Sequence, residues 1–357
     1  MSKTALIMAG GTGGHVFPAL ATADVLRAQG VEVHWMGTER GIESRVIPEA
    51  GIPLHTIDVQ GVRGKGKLGL LAAPFRIFKA IRQAKKVFNT VKPDVVMGMG
   101  GFASGPGAVA AKLSGVPLVI HEQNATAGMT NRLSARFASR VLEAFGGAFG
   151  EGVLSETVGN PVRGDILDLP EPSERFKDRT GPLRILVVGG SLGAKAINEL
   201  MPKALAELSP DERPEVWHQT GMKNLEETQA IYDELGVSAK VVPFIEKMSD
   251  AYGWADWVVC RSGALTVSEL AIAGVPALLV PFPFAVDDHQ TTNALFLVNA
   301  GAARLIQQRD LGVDDLVSLM KNESDRAELV RMGDQGRSVA RPQASQHVAE
   351  ICLEMMK

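Results

Sequence analysis

Three clusters of side chains in this 357-residue chain have the types and spacing to do chemistry. The first is Gly10-Gly-Thr-Gly-Gly-His15, which sets backbone N–H groups, a threonine hydroxyl and an imidazole in one turn after the apolar run Ala5–Ala9. A neutral imidazole is available near pH 7 and is well matched to taking a proton from a hydroxyl. The second is His121-Glu-Gln-Asn124, four polar side chains in a row after Val116–Ile120. Glu122 is a second candidate base, although a carboxylate is weak in that role unless burial raises its pKa. The third is Arg261-Ser-Gly-Ala-Leu-Thr-Val-Ser-Glu269, which follows Trp257–Cys260 as a strand, a turn and a helix start. The N–H groups near Ala264–Thr266 lack intrahelical partners and suit a diphosphate. Glu269, one turn in, is close enough to accept hydrogen bonds from sugar or ribose hydroxyls. Each cluster also has a plain structural reading: a tight turn, a polar loop, an acid that complements a helix dipole.

Groups so far apart in sequence need a scaffold that gathers loop ends. Ala5–Ala9 runs into Gly10–His15, and Arg184–Val188 runs into Gly189-Gly-Ser-Leu-Gly193. Both segments read as openings of Rossmann-like halves, with a helix N-terminus aimed at negative charge. Strands are expected at 4–9, 31–36, 94–98, 116–121 and 140–143, then at 183–188, 215–219, 240–244, 257–260, 277–280 and 303–306. Such continuous apolar runs suit strands buried on both faces of a parallel sheet. Helical stretches such as Pro18–Gln29, stopped by Gly30, alternate with them. The rhythm predicts an α/β chain of two doubly wound parallel-sheet domains separated by a cleft. We place the domains at 1–162 and 163–340, joined near Gly159-Asn-Pro-Val-Arg163 and the proline-rich 169–182. A closing helix within 341–357 is expected to return to the first domain.

Composition narrows the function classes. The chain is 45% hydrophobic and 22% charged, as ordered globular proteins are, and longer than one core usually organises. A net charge of −3 gives no reason to expect nucleic acid. Cys260 and Cys352 lack metal-ligand spacing and fit a reducing compartment. The first residues read as a strand entering a glycine turn rather than as a signal peptide. Ala271–Val286 is interrupted by Pro276, Pro281 and Pro283, so no transmembrane helix is expected. The first glycine turn is not a Walker loop, because no Gly-Lys-Ser/Thr follows. It is a poor dinucleotide fingerprint too: the third glycine falls at Val16, and Trp35–Thr38 offers no acid for a ribose. Asp287-Asp-His-Gln290 with Asn293 adds a polar cluster without a third ligand at metal spacing, so neither a metal nor another cofactor is expected.

One stretch is electrically distinct. From Gln60 to Lys92 there are nine Lys or Arg residues and no acid. At helical spacing Leu70, Ile77, Ile81, Ala84 and Phe88 share the expected core face. Leu71, Phe75 and Phe78 lie beside it, flanked by Lys79, Arg82 and Lys86. An apolar ridge rimmed by cations fits contact with anionic lipid, and a broad core face with solvated lysines is the alternative.

Gly10–Ala19, His121–Asn124, Gly159–Arg163, Gly189–Ala194 and Cys260–Glu269 together resemble the MurG family of bacterial cell-wall N-acetylglucosaminyltransferases, from the first strand to the last helix. The resemblance implies a GT-B fold and an inverting, metal-independent transfer. The donor would be UDP-N-acetylglucosamine and the acceptor lipid I, undecaprenyl-pyrophosphoryl-MurNAc-pentapeptide. The product would be lipid II, made for peptidoglycan at the cytoplasmic face of the inner membrane. By the same resemblance Glu269 would bind ribose hydroxyls, Ser191 a donor phosphate, and Ile245 uracil through its backbone. Ala264, Leu265, Thr266, Val267 and Ser268 would meet phosphates and sugar, and Asn124, Arg163 and Gln290 would complete the donor site. Thr12, Gly13 and Gly14 belong to the family's ligand loop, for either the donor or the acceptor diphosphate. His289-Gln290 stands where the family commonly carries paired glutamines. Two other readings remain at this level. A nucleotide-sugar 2-epimerase of the same fold would not need the basic ridge, and a non-catalytic membrane-bound nucleotide-sugar sensor would not need His15 and the 121–124 cluster.

Overall fold

The computed structural model describes residues 3–59, 66–190, 193–322 and 325–356, with side chains for all of these except 66–72 and Val286. The chain divides into two compact units, Met1–Arg163 with Arg341–Lys357, and Gly164–Ala340. In the first unit the strands are β1 (Thr4–Met8), β2 (Glu32–Gly37), β3 (Leu54–Thr56), β4 (Val95–Gly98), β5 (Leu118–Glu122), β6 (Arg140–Glu143) and β7 (Glu156–Thr157). They form one parallel sheet in the order β3-β2-β1-β4-β5-β6-β7. The apolar run of β1 is explained by burial on both sides. Ala5 and Ile7 pack with Leu26, Trp35 and Met97 on one face, while Leu6 and Met8 pack with Met36, Val96 and Ala111 on the other. The chain runs outward from β1 to β3, then returns to β4. That reversal opens a crevice at the carboxyl ends of β1 and β4, where ligands bind in such sheets.

The first helix is Gly13–Ala28, so it starts at Gly13 rather than at Pro18. Two glycines read as part of the turn form its first turn, and the turn proper shrinks to Gly10–Thr12. Gly30, at φ 80°, terminates the helix in the left-handed region that glycine adopts without strain. The last helix, Ala344–Met355, packs on this one: Val348, Ile351 and Cys352 share a core with Ala19, Ala23 and Leu26.

The helix Gly66–Val91 departs from expectation at Ile77, which is 45% exposed. Ala84 and Phe88 reach the core that includes Ala108 and Ala111 of the helix Ser104–Ser114, and Ile77 does not. Among the described side chains the apolar seam therefore runs chiefly through the C-terminal half of the long helix, at Ala80, Ala84 and Phe88. Phe75 at 81% and Phe78 at 62% are exposed on the other half.

The second unit repeats the plan with β8 (Arg184–Val188), β9 (Glu215–Gln219), β10 (Lys240–Val242), β11 (Trp257–Cys260), β12 (Ala277–Leu279) and β13 (Ala303–Leu305). Its parallel order is β10-β9-β8-β11-β12-β13, which puts the crevice at the ends of β8 and β11. At the opposite end of this sheet the buried Asp256 pairs with Arg179 and Arg326 and accepts the Arg184 N–H at 3.0 Å. That charge cluster fixes the segment that enters the unit. Burial pushes the Cys260 and Cys352 thiols up to about 12, so both are inert protonated thiols. Among the described residues no helix is long and apolar enough to cross a membrane.

Candidate active site

On the first rim the glycine turn is held from below by a residue that sequence reasoning missed. Glu43 is fully buried and opens the helix Glu43–Glu49. Its carboxylate accepts the Gly11 N–H at 2.9 Å, the Thr38 N–H at 3.0 Å and the Thr38 hydroxyl at 2.7 Å. The space exists because positions 10, 37 and 41 are glycine; a Cβ at Gly10 or Gly41 would strike the carboxylate, and one at Gly37 would strike Glu43 Cγ. The signal in the sequence was this acid among closely spaced glycines.

Thr12 precedes the helix, yet its hydroxyl is not spent on capping an N–H. It lies 3.3 Å from His15 Nδ1 instead. The ring of His15 rests against Gly100, where a Cβ would come within 2.9 Å of its Cδ2. Gly100 also has φ 91°, so it is a glycine for two separate reasons. Ser104 Oγ lies 2.8 Å from Met8 O and 2.6 Å from Gly100 O, which joins the loop after β4 to the end of β1. The crevice is thus a braced seat for one imidazole.

The 121–124 cluster is more inward than expected. Glu122 is only 2% exposed, and it accepts four hydrogen bonds. Asn124 N–H and Nδ2 reach Oε1 at 3.0 and 3.1 Å, while Gly128 N–H and Asn131 Nδ2 reach Oε2 at 3.0 and 2.9 Å. Both oxygens are committed to organising residues 122–131. His121 is fully buried, and burial holds its pKa below the ordinary imidazole value. It is therefore neutral, with Nε2–H donating to Gly159 O at 2.8 Å and Nδ1 accepting from Gln123 Nε2 at 3.1 Å. Arg163 stacks at 5.8 Å from the Phe17 ring centroid.

The second rim has different electrostatics. Ser191 lies outside the described residues. Gly193 takes φ 76° and leaves no room for a Cβ against Thr220 O. Gln219 Nε2 donates to Gly190 O at 2.9 Å and to Pro243 O at 3.1 Å, which ties the glycine turn to the segment leading to the buried Ile245. Beneath it, His218 lies between Asn198 Oδ1 at 3.0 Å and the Tyr232 hydroxyl at 2.9 Å, its pKa pushed down to about 3 by burial.

The helix Ala264–Ala273 starts from Gly263 with no side-chain hydrogen bond capping its first N–H groups. Ser262 Oγ, fully buried beside that start, has no hydrogen-bond partner among the described residues. Leu265 and Thr266 are half-exposed, whereas Ala264, Val267 and Ser268 are buried, the last donating to Ala264 O at 3.0 Å. Glu269 is buried and accepts from the Tyr252 hydroxyl at 3.0 Å, an orienting partner absent from the sequence reading. Gln290 Oε1 accepts the Phe282 N–H at 2.8 Å. Asp287 and Asp288 serve the backbone: both sit at positive φ, and Asp288 accepts from Thr291 Oγ1 at 2.7 Å. Among the described residues no group of three or more His, Cys, Asp or Glu could hold a metal ion.

On the helix Gly66–Val91, Phe75, Phe78, Arg82 and Lys86 are exposed, while the side chain of Leu71 lies outside the described residues. Lys79 is drawn to Asp58 at 2.8 Å and lines a cavity of about 710 Å³. The cavity reaches Gly11 and is also lined by Thr38, Arg40, Thr56, Gln83 and Phe102.

Two parallel α/β domains with loop crevices of this kind have the architecture of the GT-B fold. The model of the glycosyltransferase family 28 N-terminal domain matches residues 5–143, and that of the C-terminal domain matches 184–348. A relative from Marinobacter nauticus is 55% identical over 98% of this chain and 96% of its own, and one from Cellvibrio japonicus is 54% identical over 98% of both. Both are UDP-N-acetylglucosamine–N-acetylmuramyl-(pentapeptide) pyrophosphoryl-undecaprenol N-acetylglucosamine transferases. The crystal structure of Acinetobacter baumannii MurG superposes with a TM-score of 0.85 at 44% identity, covering 99% of each chain. The chain belongs to the MurG family, within glycosyltransferase family 28.

Proposed function

We propose that this chain transfers N-acetylglucosamine from UDP-N-acetylglucosamine to the MurNAc 4-hydroxyl of lipid I, forming lipid II for peptidoglycan. The observation that carries the reading is the 55% identity, over nearly the whole of both chains, to a transferase that performs this step. Tests of it begin with labelled donor and a short-chain lipid I analogue. Purified protein should convert the analogue to a product carrying one labelled GlcNAc. Donor hydrolysis or epimerisation without transfer would contradict the assignment.

His15 takes the proton as the acceptor oxygen attacks the anomeric carbon. In the tautomer whose Nδ1–H donates to Thr12 Oγ1, Nε2 carries the lone pair that receives it. The new C–O bond forms as the bond to the β-phosphate breaks, and its electron pair leaves on UDP. The helix start at Gly263–Thr266, with Ser262 Oγ beside it, stabilises that leaving charge. Glu269, oriented by Tyr252, binds the ribose hydroxyls; Ser191, Ile245 and Gln290 complete the nucleotide-sugar contacts with Asn124 and Arg163. His15 is favoured over Glu122 because both Glu122 oxygens are already committed to four donors. Glu122 then acts as an organiser of the loop that carries Asn124.

The protein works peripherally at the cytoplasmic face of the membrane. Phe75 and Phe78, with Arg82 and Lys86, make the contact with anionic lipid. Serine at both phenylalanines should reduce flotation with anionic vesicles, and added salt should reduce it further. Flotation indifferent to both changes would contradict the lipid role of this helix.

A further inference from the structure

Resting on the reading of His15 as the base, we infer that Gln123 is a positioning residue for the transfer: its side-chain oxygen accepts from the imidazole once Nε2 has taken the acceptor's proton. Gln123 directly follows β5 and is 1% exposed. The point that a Gly100 Cβ would occupy lies 3.0 Å from His15 Nε2 and 3.7 Å from Gln123 Oε1, so the amide oxygen borders the same seat as the ring. That oxygen is buried and has no hydrogen-bond partner among the described residues.

The orientation of the amide follows from a chain of obligatory donors. Gly159 O can only accept, so His121 Nε2, 2.8 Å away, must carry a hydrogen. Burial keeps His121 neutral, which leaves a lone pair on its Nδ1. Gln123 must then present its Nε2 to that nitrogen at 3.1 Å, and the same group reaches His121 O at 3.1 Å. Turning the amide over would set its oxygen against two acceptors. A backbone carbonyl thus fixes, through one imidazole, which end of Gln123 borders the seat of the other.

A buried oxygen without a donor favours whichever state of its neighbour supplies one. Neutral His15, with Nδ1–H on Thr12 Oγ1, has a lone pair at Nε2 and supplies none. In the transfer the acceptor's O–H bond breaks and its proton moves to Nε2, while the electron pair stays on the oxygen that forms the new C–O bond. The new Nε2–H then donates to Gln123 Oε1, so the amide stabilises the imidazolium and strengthens His15 as a base. The other ionisable groups around the seat are Glu43, His121, Glu122 and Arg163. Both carboxylates are already committed to donors of their own, and Arg163 lies over Phe17.

The test uses the intact protein with ring-labelled histidine, the His15 signal among the seven being identified by its loss in His15→Ala. Its NMR titration reads the contact whether or not His15 is the base. Gln123→Met removes the oxygen at similar volume and should lower the His15 pKa by about one unit. Gln123→Glu keeps an oxygen there, adds charge, and should raise it. In transfer assays Gln123→Met should lower kcat about tenfold and move the acidic limb of the pH–rate profile down with the pKa. Acceptor KM should be unchanged, as should UDP-N-acetylglucosamine affinity, which also reports folding. Placed in His15→Ala, Gln123→Met should cost nothing further. A His15 titration unmoved by either substitution would overturn the inference. So would a loss of kcat of equal size in both backgrounds, which marks a structural role, or a moved titration with unchanged kcat. Failure of the base reading itself shows separately, as His15→Ala activity within a few-fold of wild type.

Discussion

The two rims are built from one supersecondary plan and finished with opposite electrostatics. Under the first glycine turn lies a buried carboxylate, Glu43, which accepts the Gly11 N–H. That turn is already supplied with an anion, and the residue it presents is an imidazole braced by Thr12 and Gly100. On the second rim the helix start at Gly263 has no side-chain cap, and Ser262 Oγ is buried beside it with no partner among the described residues. A helix N-terminus left in this state favours an anion from outside. Under the proposed function the same strand–glycine–helix opening would hold a base in one unit and take a leaving group in the other. What decides between them is the neighbour that satisfies the backbone.

The largest effect should come from the base itself. His15→Ala is expected to lower kcat about 10²–10⁴-fold and to remove the acidic limb of the pH–rate profile, which steady-state rates across pH will reveal. A variant within a few-fold of wild type, alongside a collapsed Glu122→Ala, would move the base to Glu122. Next is the internal anion of the first rim. Glu43→Ala strands two N–H groups and a hydroxyl in a part-buried site, and we expect a loss of about 1–3 kcal/mol in urea unfolding. An unperturbed midpoint would mean that the turn does not depend on its carboxylate.

On the second rim Tyr252→Phe removes only the hydroxyl that orients Glu269, so donor affinity should weaken by about 0.5–1.5 kcal/mol in calorimetry. The last effect is spread over pH. Unfolded His218 gains a proton below about 6.5, while the folded residue resists protonation down to about 3. Its contribution is therefore complete above pH 6.5 and declines as the pH falls toward 3, by about 1.4 kcal/mol per pH unit. His121, depressed by the same cause, adds to the trend. Unfolding free energies of wild type and His218→Gln should converge as the pH drops from 7 to 5; parallel curves would contradict this.

Most of the strands that sequence could show are buried on both faces, where the apolar run is continuous; the partly exposed edges β10 and β13 of the second sheet were legible too. β3 and β7 were missed, and they are the two edges of the first sheet. With three and two residues paired along one side, Leu54–Thr56 and Glu156–Thr157 need no apolar run. Ile77 failed for a related reason: spacing gives a face, but not whether anything packs on it. In the candidate sites, the glycine turns, His15 and Glu269 could be singled out because the features that mark them are local. Glu43, Tyr252 and Gln219 were not, since each acts on a loop from another element. The commitment of Glu122 to four donors depends in the same way on Gly128 and Asn131, brought round by the loop.

The division of labour between the rims is tested most directly by calorimetric titration of UDP-N-acetylglucosamine into wild type, His15→Ala and Glu269→Ala. With the base on the first rim and the donor on the second, His15→Ala should bind donor within about twofold of wild type. Glu269→Ala should lose about 1–3 kcal/mol, the cost of leaving polar partners unpaired. Unchanged donor affinity in a folded Glu269→Ala protein, or a comparable loss in His15→Ala, would contradict that division.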